Sequence, residues 1–378
     1  MSEARIGRIS NENSTAGPII SGITTFSGQN YFVPPRGTTA ERPSNCPVGS
    51  IRFNTDSAKL EYFDGLQWLE LEAFNNELGG GTGSNTGLGN RGVFSGSNVS
   101  APAGNLIDYI TISTLGDAQT FGSLVSARQT FKNSCSSSTR GVWGGGYTGS
   151  GWTNLIDYIT FSSTGNATTF GNLTQSRTSV GALSSSTRGV FGGGAAAPAS
   201  ASVNTIDYIT IASTGNAQDF GDLSALASLL GGCSSTTRGL FASAGGSPRF
   251  EIDYITIATT GNSIDFGTLN SSNTVAACSN ATRALFAGGY INNIIDYVTI
   301  STTGNAQDFG DLTAATHAVS ACASSTRGIF AGGTPNGSSS INVIQYVTIT
   351  TTGNAQDFGD LTTARNGFGS CSNGHGGL

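Results

Sequence analysis

The chain has 378 residues and a formal charge of −6, with only 11% of its residues charged. That balance excludes the basic footprint of a nucleic-acid binder and the charge-rich, apolar-poor composition of a disordered chain. No run of about 18 apolar residues occurs, so no membrane-spanning helix is expected; the opening MSEARIGRISNENS lacks the apolar centre of a signal peptide, and synthesis in a cytoplasm is expected.

In chain order, the first predicted element is an extended, Pro-rich stretch, TTFSGQNYFVPPRGTTAERPSNCPVG, whose Cys46 has no assignable role. GSIRFNTDSAKLEYFDGLQWLELE (49 to 72) follows. It reads as three strands, 51 to 54, 59 to 63 and 66 to 71, with Asp64-Gly65 as a two-residue hairpin. A sheet this small needs a partner surface, and Phe63, Trp68 and Leu71 are its expected attachment residues. GGGTGSNTGLGNRG comes next, with no helix start and no following Lys, so it reads as a flexible linker and not a phosphate cradle. The expected division is a segment 1–78 for attachment, a linker 79–90, and a repeat domain 91–378.

The repeat is marked by the Tyr of IDYITI, at Tyr109, Tyr158, Tyr208, Tyr254, Tyr297 and Tyr346, a period of 43 to 50 residues. Such a period means a solenoid or a propeller. Each unit reads as four short strands. In the third unit, strand C is TIDYITIA (205 to 212), strand D is AQDFGDL (217 to 223), strand A is LLGGCSS (229 to 235) and strand B is RGLFASA (238 to 244). The last strand A, NGFGSCS (366 to 372), has no full strand B behind it, while a spare strand B, RGVFSG (91 to 96), precedes the first unit. Pairing the two would close a ring and remove its open edges. The expected fold is all-β, a six-bladed β-propeller with a small N-terminal β-meander.

Several residues imitate chemistry. Cys135, Cys233, Cys278, Cys322 and Cys371 share one phase of strand A, where another unit has Leu183, so they read as packing positions holding free thiols. The recurring DFG is strand D. An Arg opens each strand B (Arg91, Arg140, Arg188, Arg238, Arg283, Arg327), and an Asp precedes the strand C Tyr in five units (Asp108, Asp157, Asp207, Asp253, Asp296), with Gln345 in the sixth. One Arg and one Asp per unit suggests a repeated structural ion pair, cross-strand (Arg140–Asp157, Arg188–Asp207, Arg238–Asp253, Arg283–Asp296) or between neighbouring units; a ring of ligand-binding arginines is the alternative. His317 and His375 have no repeated partner, and no catalytic pattern, cofactor or metal motif is expected.

In an up-and-down blade the A–B and C–D turns share one face. Those turns, SSSTR and STTGN, barely change between units. The B–C and D–A turns share the other face and differ in every unit, which marks an individual, recognition-competent surface. Tyr147, Trp152, Arg249, Phe250 and Tyr290 fall in its B–C turns and are the candidate binding residues, because aromatics and Arg anchor interfaces.

Two resemblances add to this reading. Strand B ends in a glycine pair (GVFGGG, GIFAGG), strand C carries a Tyr, strand D a single Phe, and Arg128, Arg177 and Arg365 precede strand A; over 91–378 the unit resembles a kelch repeat. It departs from kelch in placing the acid before the Tyr and in lacking that Arg in three units. The 49–72 meander, together with STRGVFGGG…IDYITI…TGN repeats, resembles virion proteins of tailed bacteriophages of the marine cyanobacterial type. That resemblance implies a non-enzymatic structural protein of the virion: a fibre, a neck or tail appendage, or a shell decoration. Its partners would be other virion proteins, contacted through residues 1–75, and it would form a homo-oligomer in the particle. A host-receptor or glycan-binding adhesin is the alternative, and a polysaccharide-degrading enzyme the third reading.

Overall fold

The computed structural model describes residues 34–57, 59–70, 90–97, 104–243, 245–246, 250–270, 275–288, 292–335 and 339–378. Over these the chain is all-β, with antiparallel sheets, one 3-10 turn (Thr39–Glu41) and no α-helix among the described residues. It divides into two compact units, Met1–Phe74 and Asn75–Leu378. Of the expected linker 79–90, only Asn90 is described.

The N-terminal unit is a four-stranded sheet in the order Arg36–Gly37, Ile51–Asn54, Lys59–Phe63, Trp68–Glu70. The last strand begins at Trp68, two residues later than expected. Asp64 Oδ1 accepts from the backbone N–H of both Leu66 and Gln67, at 2.7 and 2.8 Å, and holds those residues in the turn.

Among its described residues the second unit contains six successive antiparallel sheets, each built on strands A–B–C–D, and a separate two-stranded pairing of Thr316–His317 with Thr334–Pro335. The first comprises Gly369–Ser372, Arg91–Ser95, Leu106–Thr111 and Gln119–Ser123. Its strand A therefore comes from the far end of the chain, with Cys371 opposite Val93 and Gly369 opposite Ser95. The second comprises Ser134–Ser136, Arg140–Tyr147, Trp152–Thr160 and Thr168–Asn172; the third, Gly181–Ser184, Arg188–Gly192, Ala201–Thr210 and Gln218–Ser228. The fourth comprises Gly231–Ser234, Arg238–Ala242, Glu251–Thr256 and Ile264–Thr268; the fifth, Ala276–Ser279, Arg283–Ala287, Ile294–Thr299 and Gln307–Asp311; the sixth, Ser320–Ala323, Arg327–Ala331, Val343–Thr348 and Gln356–Asp360.

The hydrophobic core is divided among the junctions between neighbouring sheets. Val142, Ile156 and Phe170 of the second sheet, for example, pack with Val180, Phe191 and Ile209 of the third, and comparable clusters join the other neighbours in cyclic order. The strand A cysteines take part as small apolar groups. Cys135 Sγ would lie 2.6 Å from a Cβ added at Gly189 in the next sheet's strand B, and Cys371 meets Gly141 in the same way. All six cysteines are free thiols. Burial pushes Cys278 up to about 12 and Cys135, Cys233 and Cys322 well above their ordinary value.

The recurring TGN and FG motifs are the two halves of one joint. The Gly of each C–D turn donates its N–H to the strand D Phe carbonyl of the preceding sheet: Gly165 to Phe121, Gly215 to Phe170, Gly261 to Phe220, Gly304 to Phe266, Gly353 to Phe309 and Gly116 to Phe358, all at 2.8–2.9 Å. Two residues on, a second N–H bonds the same strand, as Ala217 does to Asn172 O at 2.8 Å. The intervening Asn accepts back through its side chain, Asn216 Oδ1 from Asn172 N at 3.1 Å. The socket needs a glycine: a Cβ added at Gly171 would overlap Gly215 O.

Along the inner rim, hydroxyls step from one strand A to the next. Ser136 Oγ donates to Ser372 O, Ser184 to Ser136, Ser234 to Ser184 and Ser279 to Ser234, at 2.7–2.8 Å, and Ser372 donates to Ala323 O. Ala323 has no hydroxyl with which to continue the series, and Ser279 O instead accepts from Gly376 N at 2.9 Å. The chain end thus plugs the rim. His375 Nε2 lies 3.1 Å from Ser136 O, and its Nδ1 accepts from Gly377 N at 3.0 Å. Those contacts specify the neutral Nε2–H tautomer, and burial holds the imidazole down at about 4.

Two outcomes follow from these contacts. Gly171→Ala should destabilise the protein by about 2–3 kcal/mol in chemical denaturation through overpacking, whereas Gly215→Ala, whose Cβ meets nothing within 4 Å, should cost less than about 1 kcal/mol. His375 titrates lower folded than unfolded, so below its unfolded pKa the unfolded chain binds the extra proton. Stability should therefore fall, by up to about 3 kcal/mol, as pH drops from about 6.5 to 4, and then level off. His375→Asn should flatten that segment of the stability–pH curve.

Candidate functional site

The two ends of the sheets are chemically different. At the A–B and C–D end, the strand B arginines are half-buried latches. Arg140 Nη1 donates to Ile211 O, Arg188 to Ile257 O, Arg238 to Ile300 O and Arg283 to Ile349 O, at 2.8–2.9 Å and always in the next sheet. Each guanidinium also lies over its own sheet's Tyr, 4.4–4.6 Å from the ring centroid, and that Tyr meets the strand D Phe edge-on.

The expected pairs Arg140–Asp157, Arg188–Asp207, Arg238–Asp253 and Arg283–Asp296 are therefore corrected. Arg140 sits opposite Thr160 and Trp143 opposite Asp157; Asp157 and Thr160 are an odd three positions apart, so the pleat turns Asp157 to the other face of the sheet. The aspartates pair with the arginines that precede strand A: Arg128 with Asp157 at 2.7 Å, Arg177 with Asp207 at 2.8 Å and Arg365 with Asp108 at 2.8 Å, all fully buried. Burial lowers the Arg177 and Arg365 values, the latter to about 10, against the pull of Asp207 and Asp108. The sequence signal for these partners was present, since all three arginines precede strand A at the same position of their units. In the fourth sheet Asp253 accepts from Ser224 and Ser263 instead, in the fifth Asp296 accepts from Asn270, and in the sixth Gln345 accepts from Thr313 N.

The B–C and D–A end carries the individual side chains. Tyr147 and Trp152 stand opposite each other at the tip of the second sheet's B–C hairpin, both half-buried, and the Tyr147 hydroxyl donates to Gly149 O at 2.8 Å. Phe250 has a positive φ of 69° and packs on the core cluster of the fourth and fifth sheets beside Leu229. Arg249 and Tyr290 lie outside the described residues.

The D–A turns enter strand A through a left-handed residue, at Phe131 (φ 32°), Ser179 (57°), Leu229 (58°), Ala318 (55°) and Gly367 (65°). For the non-glycine residues this conformation costs about 1 kcal/mol each. Phe131, Lys132, Leu229, His317, Ala318 and Phe368 line a small cavity there. Lys132 Nζ reaches from the second sheet to the fifth, donating to Val275 O at 2.7 Å, and burial lowers its ammonium to about 7. His317 is lowered by burial and then by Lys132. Nothing in the repeat foretold Lys132, because no other unit has a basic residue there.

In the N-terminal unit, Phe63 and Trp68 pack on each other, 5.6 Å between centroids, on the charged side of the sheet. There Glu61 is completely buried between Arg42 and Arg52, and hydrogen bonds from Arg42 hold its carboxyl low. Leu71 lies outside the described residues. Register places Ile51, Phe53, Leu60, Tyr62 and Leu69 together on the opposite side. Ile51 is 54% and Leu60 40% exposed, so that side, and not the one bearing Phe63 and Trp68, is the open apolar surface.

No protein-family model matches the chain, and no curated protein matches it.

Arg177→Ala should cost about 3–5 kcal/mol, because it strands the buried Asp207 charge. Arg238→Ala removes one partly exposed hydrogen bond and a cation–π contact and should cost about 1–2 kcal/mol. Denaturation of both variants checks the order; equal costs would restore a buried role for the strand B arginines.

Proposed function

We propose that the six sheets are the blades of a closed, kelch-like β-propeller, and that the chain is a non-enzymatic virion structural protein of a tailed bacteriophage. In this reading it is a fibre, a neck or tail appendage, or a shell decoration, made in the host cytoplasm and built into the particle through its N-terminal unit. The propeller presents the face formed by the B–C and D–A turns.

The observation that carries the proposal is the division of labour between the two ends of the sheets. Joint-making turns of nearly constant sequence occupy one end, while the other end differs in every unit. A scaffold that holds an individual surface on a repeated frame has that form. The apolar face of Ile51, Phe53, Leu60, Tyr62 and Leu69 supplies a surface suited to attachment. The Tyr147–Trp152 pair favours a second reading, a host-receptor or glycan-binding adhesin, since paired half-buried aromatics on a hairpin tip suit sugar faces. A glycan array probed with the full chain separates the two.

Particles lacking this protein, mixed with the purified full chain, should incorporate it. An Ile51→Glu/Leu60→Glu chain should lose incorporation by about tenfold or more, while its melting transition stays within a few degrees. Undiminished incorporation would move the docking surface to the propeller.

A further inference from the structure

The fold uses only part of each strand B arginine. Arg188 commits Nη1 to Ile257 O at 2.8 Å and lays its guanidinium over Tyr208, 4.4 Å from the ring centroid. Its Nε and Nη2 have no hydrogen-bond partner, and it joins no ion pair, among the described residues. The fully buried arginines differ, since Arg128, Arg177 and Arg365 each face an aspartate. Arg188 is half-buried and its charge is not neutralised.

A cavity of about 270 Å3 lies at this place, beside the C–D turn of the third sheet. Arg188, Tyr208, Thr210, Ser213, Asn216 and Gln218 line it, and no acidic residue does. Its amides are already turned one way. Gln218 Oε1 accepts from the Tyr208 hydroxyl at 2.6 Å, and Asn216 Oδ1 accepts from Asn172 N at 3.1 Å. Both side chains therefore use their acceptor within the protein and keep their N–H groups for something else. A guanidinium has donors only. The charged and amide side chains of the lining thus offer donors alone, around one uncompensated positive charge, and that combination selects an anion. The exposed hydroxyls of Thr210 and Ser213 serve as donor or acceptor. The volume far exceeds an inorganic anion and suits a sugar ring, whose own hydroxyls those two residues can meet.

We infer that this cleft in the third sheet binds an acidic sugar, a uronic acid, with its carboxylate on Arg188 and Gln218. The inference rests on neither reading of the chain's function. It places a ligand at the end of the sheets whose turns hardly vary, and the first, fifth and sixth sheets carry the same three side chains: Arg91, Tyr109 and Gln119; Arg283, Tyr297 and Gln307; Arg327, Tyr346 and Gln356. Their Tyr–Gln bonds measure 2.5–2.8 Å. The fourth sheet has Ile264 at the glutamine position.

The test uses the full chain, titrated with methyl β-glucuronide and followed by backbone amide NMR. The glucuronide should shift resonances in 208–218. Methyl β-glucoside, the same ring without the charge, should not, and acetate, the charge without the ring, should bind more weakly. Gln218→Glu sets a like charge against the ligand and should abolish the shifts in 208–218. Gln218→Ile copies the side chain that the fourth sheet already carries, so it should fold, and it should weaken binding at 208–218 by about tenfold. No shift with the glucuronide, equal shifts with the glucoside, equal affinity for acetate, or undiminished binding by Gln218→Glu would overturn the inference.

Discussion

The joint between the Gly-Asn turn of one sheet and the Phe-Gly strand of its neighbour governs this molecule. It is made almost entirely of backbone, with two N–H···O=C bonds and one side-chain acceptor at a junction, so it demands clearance more than chemistry. A glycine must sit on the receiving strand, where a Cβ would overlap the turn's carbonyl, whereas the space beside the turn glycine is open. Every unit carries both halves, the turn that inserts and the strand that receives. Neither half can drift without spoiling fit with a neighbour that carries the same motif, and this explains the near-verbatim recurrence of TTGNAQDFGDLT. Each such bond adds only about 0.5–1.5 kcal/mol net, but the joints, the arginine latches and the inter-sheet cores act at the same interfaces, and each supports the others.

The same constraint distributes freedom along the chain. Side chains at the C–D and A–B end are committed to holding neighbours together. At the opposite end the backbone is already anchored by the strands, and turns can change length and content. The strained entries at Phe131, Leu229 and Ala318 lie on this freer end, as does the Lys132 strut.

Much of this was legible in the sequence because it is periodic. Strand positions, the packing role of the cysteines and the pairing of NGFGSCS with RGVFSG all follow from aligning six imperfect copies. The error over Arg140 and Asp157 was one of parity: both lie on adjacent strands, yet counting residues from the hairpin puts them on opposite faces, and the arginines that precede strand A were the better partners. Register also sorts the large apolar residues of the N-terminal sheet. Phe63 and Trp68, chosen for their size, lie half-buried on the side of Arg52 and Glu61, and Ile51 and Leu60 are the exposed pair on the other. Lys132 and His375 were beyond sequence reasoning. Each occurs once, and each finds its partner more than a hundred residues away, Lys132 at Val275 and His375 at Ser136.

The first sheet has a kinetic consequence. Its strand A, Gly369–Ser372, joins a strand B that lies some 280 residues earlier in the chain. All the other A–B pairs are local hairpins that form as soon as their own residues are available. This one carries the full loop-closure entropy of the domain, so it belongs among the last contacts to form and the first to open. Until then the growing chain is a curved row of sheets with an unpaired edge at Arg91–Ser95, poised to accept a strand from another copy as readily as its own. Correct folding therefore depends on the effective concentration of its own distant strand exceeding the concentration of neighbouring chains, a condition that crowded synthesis at high copy number presses hardest.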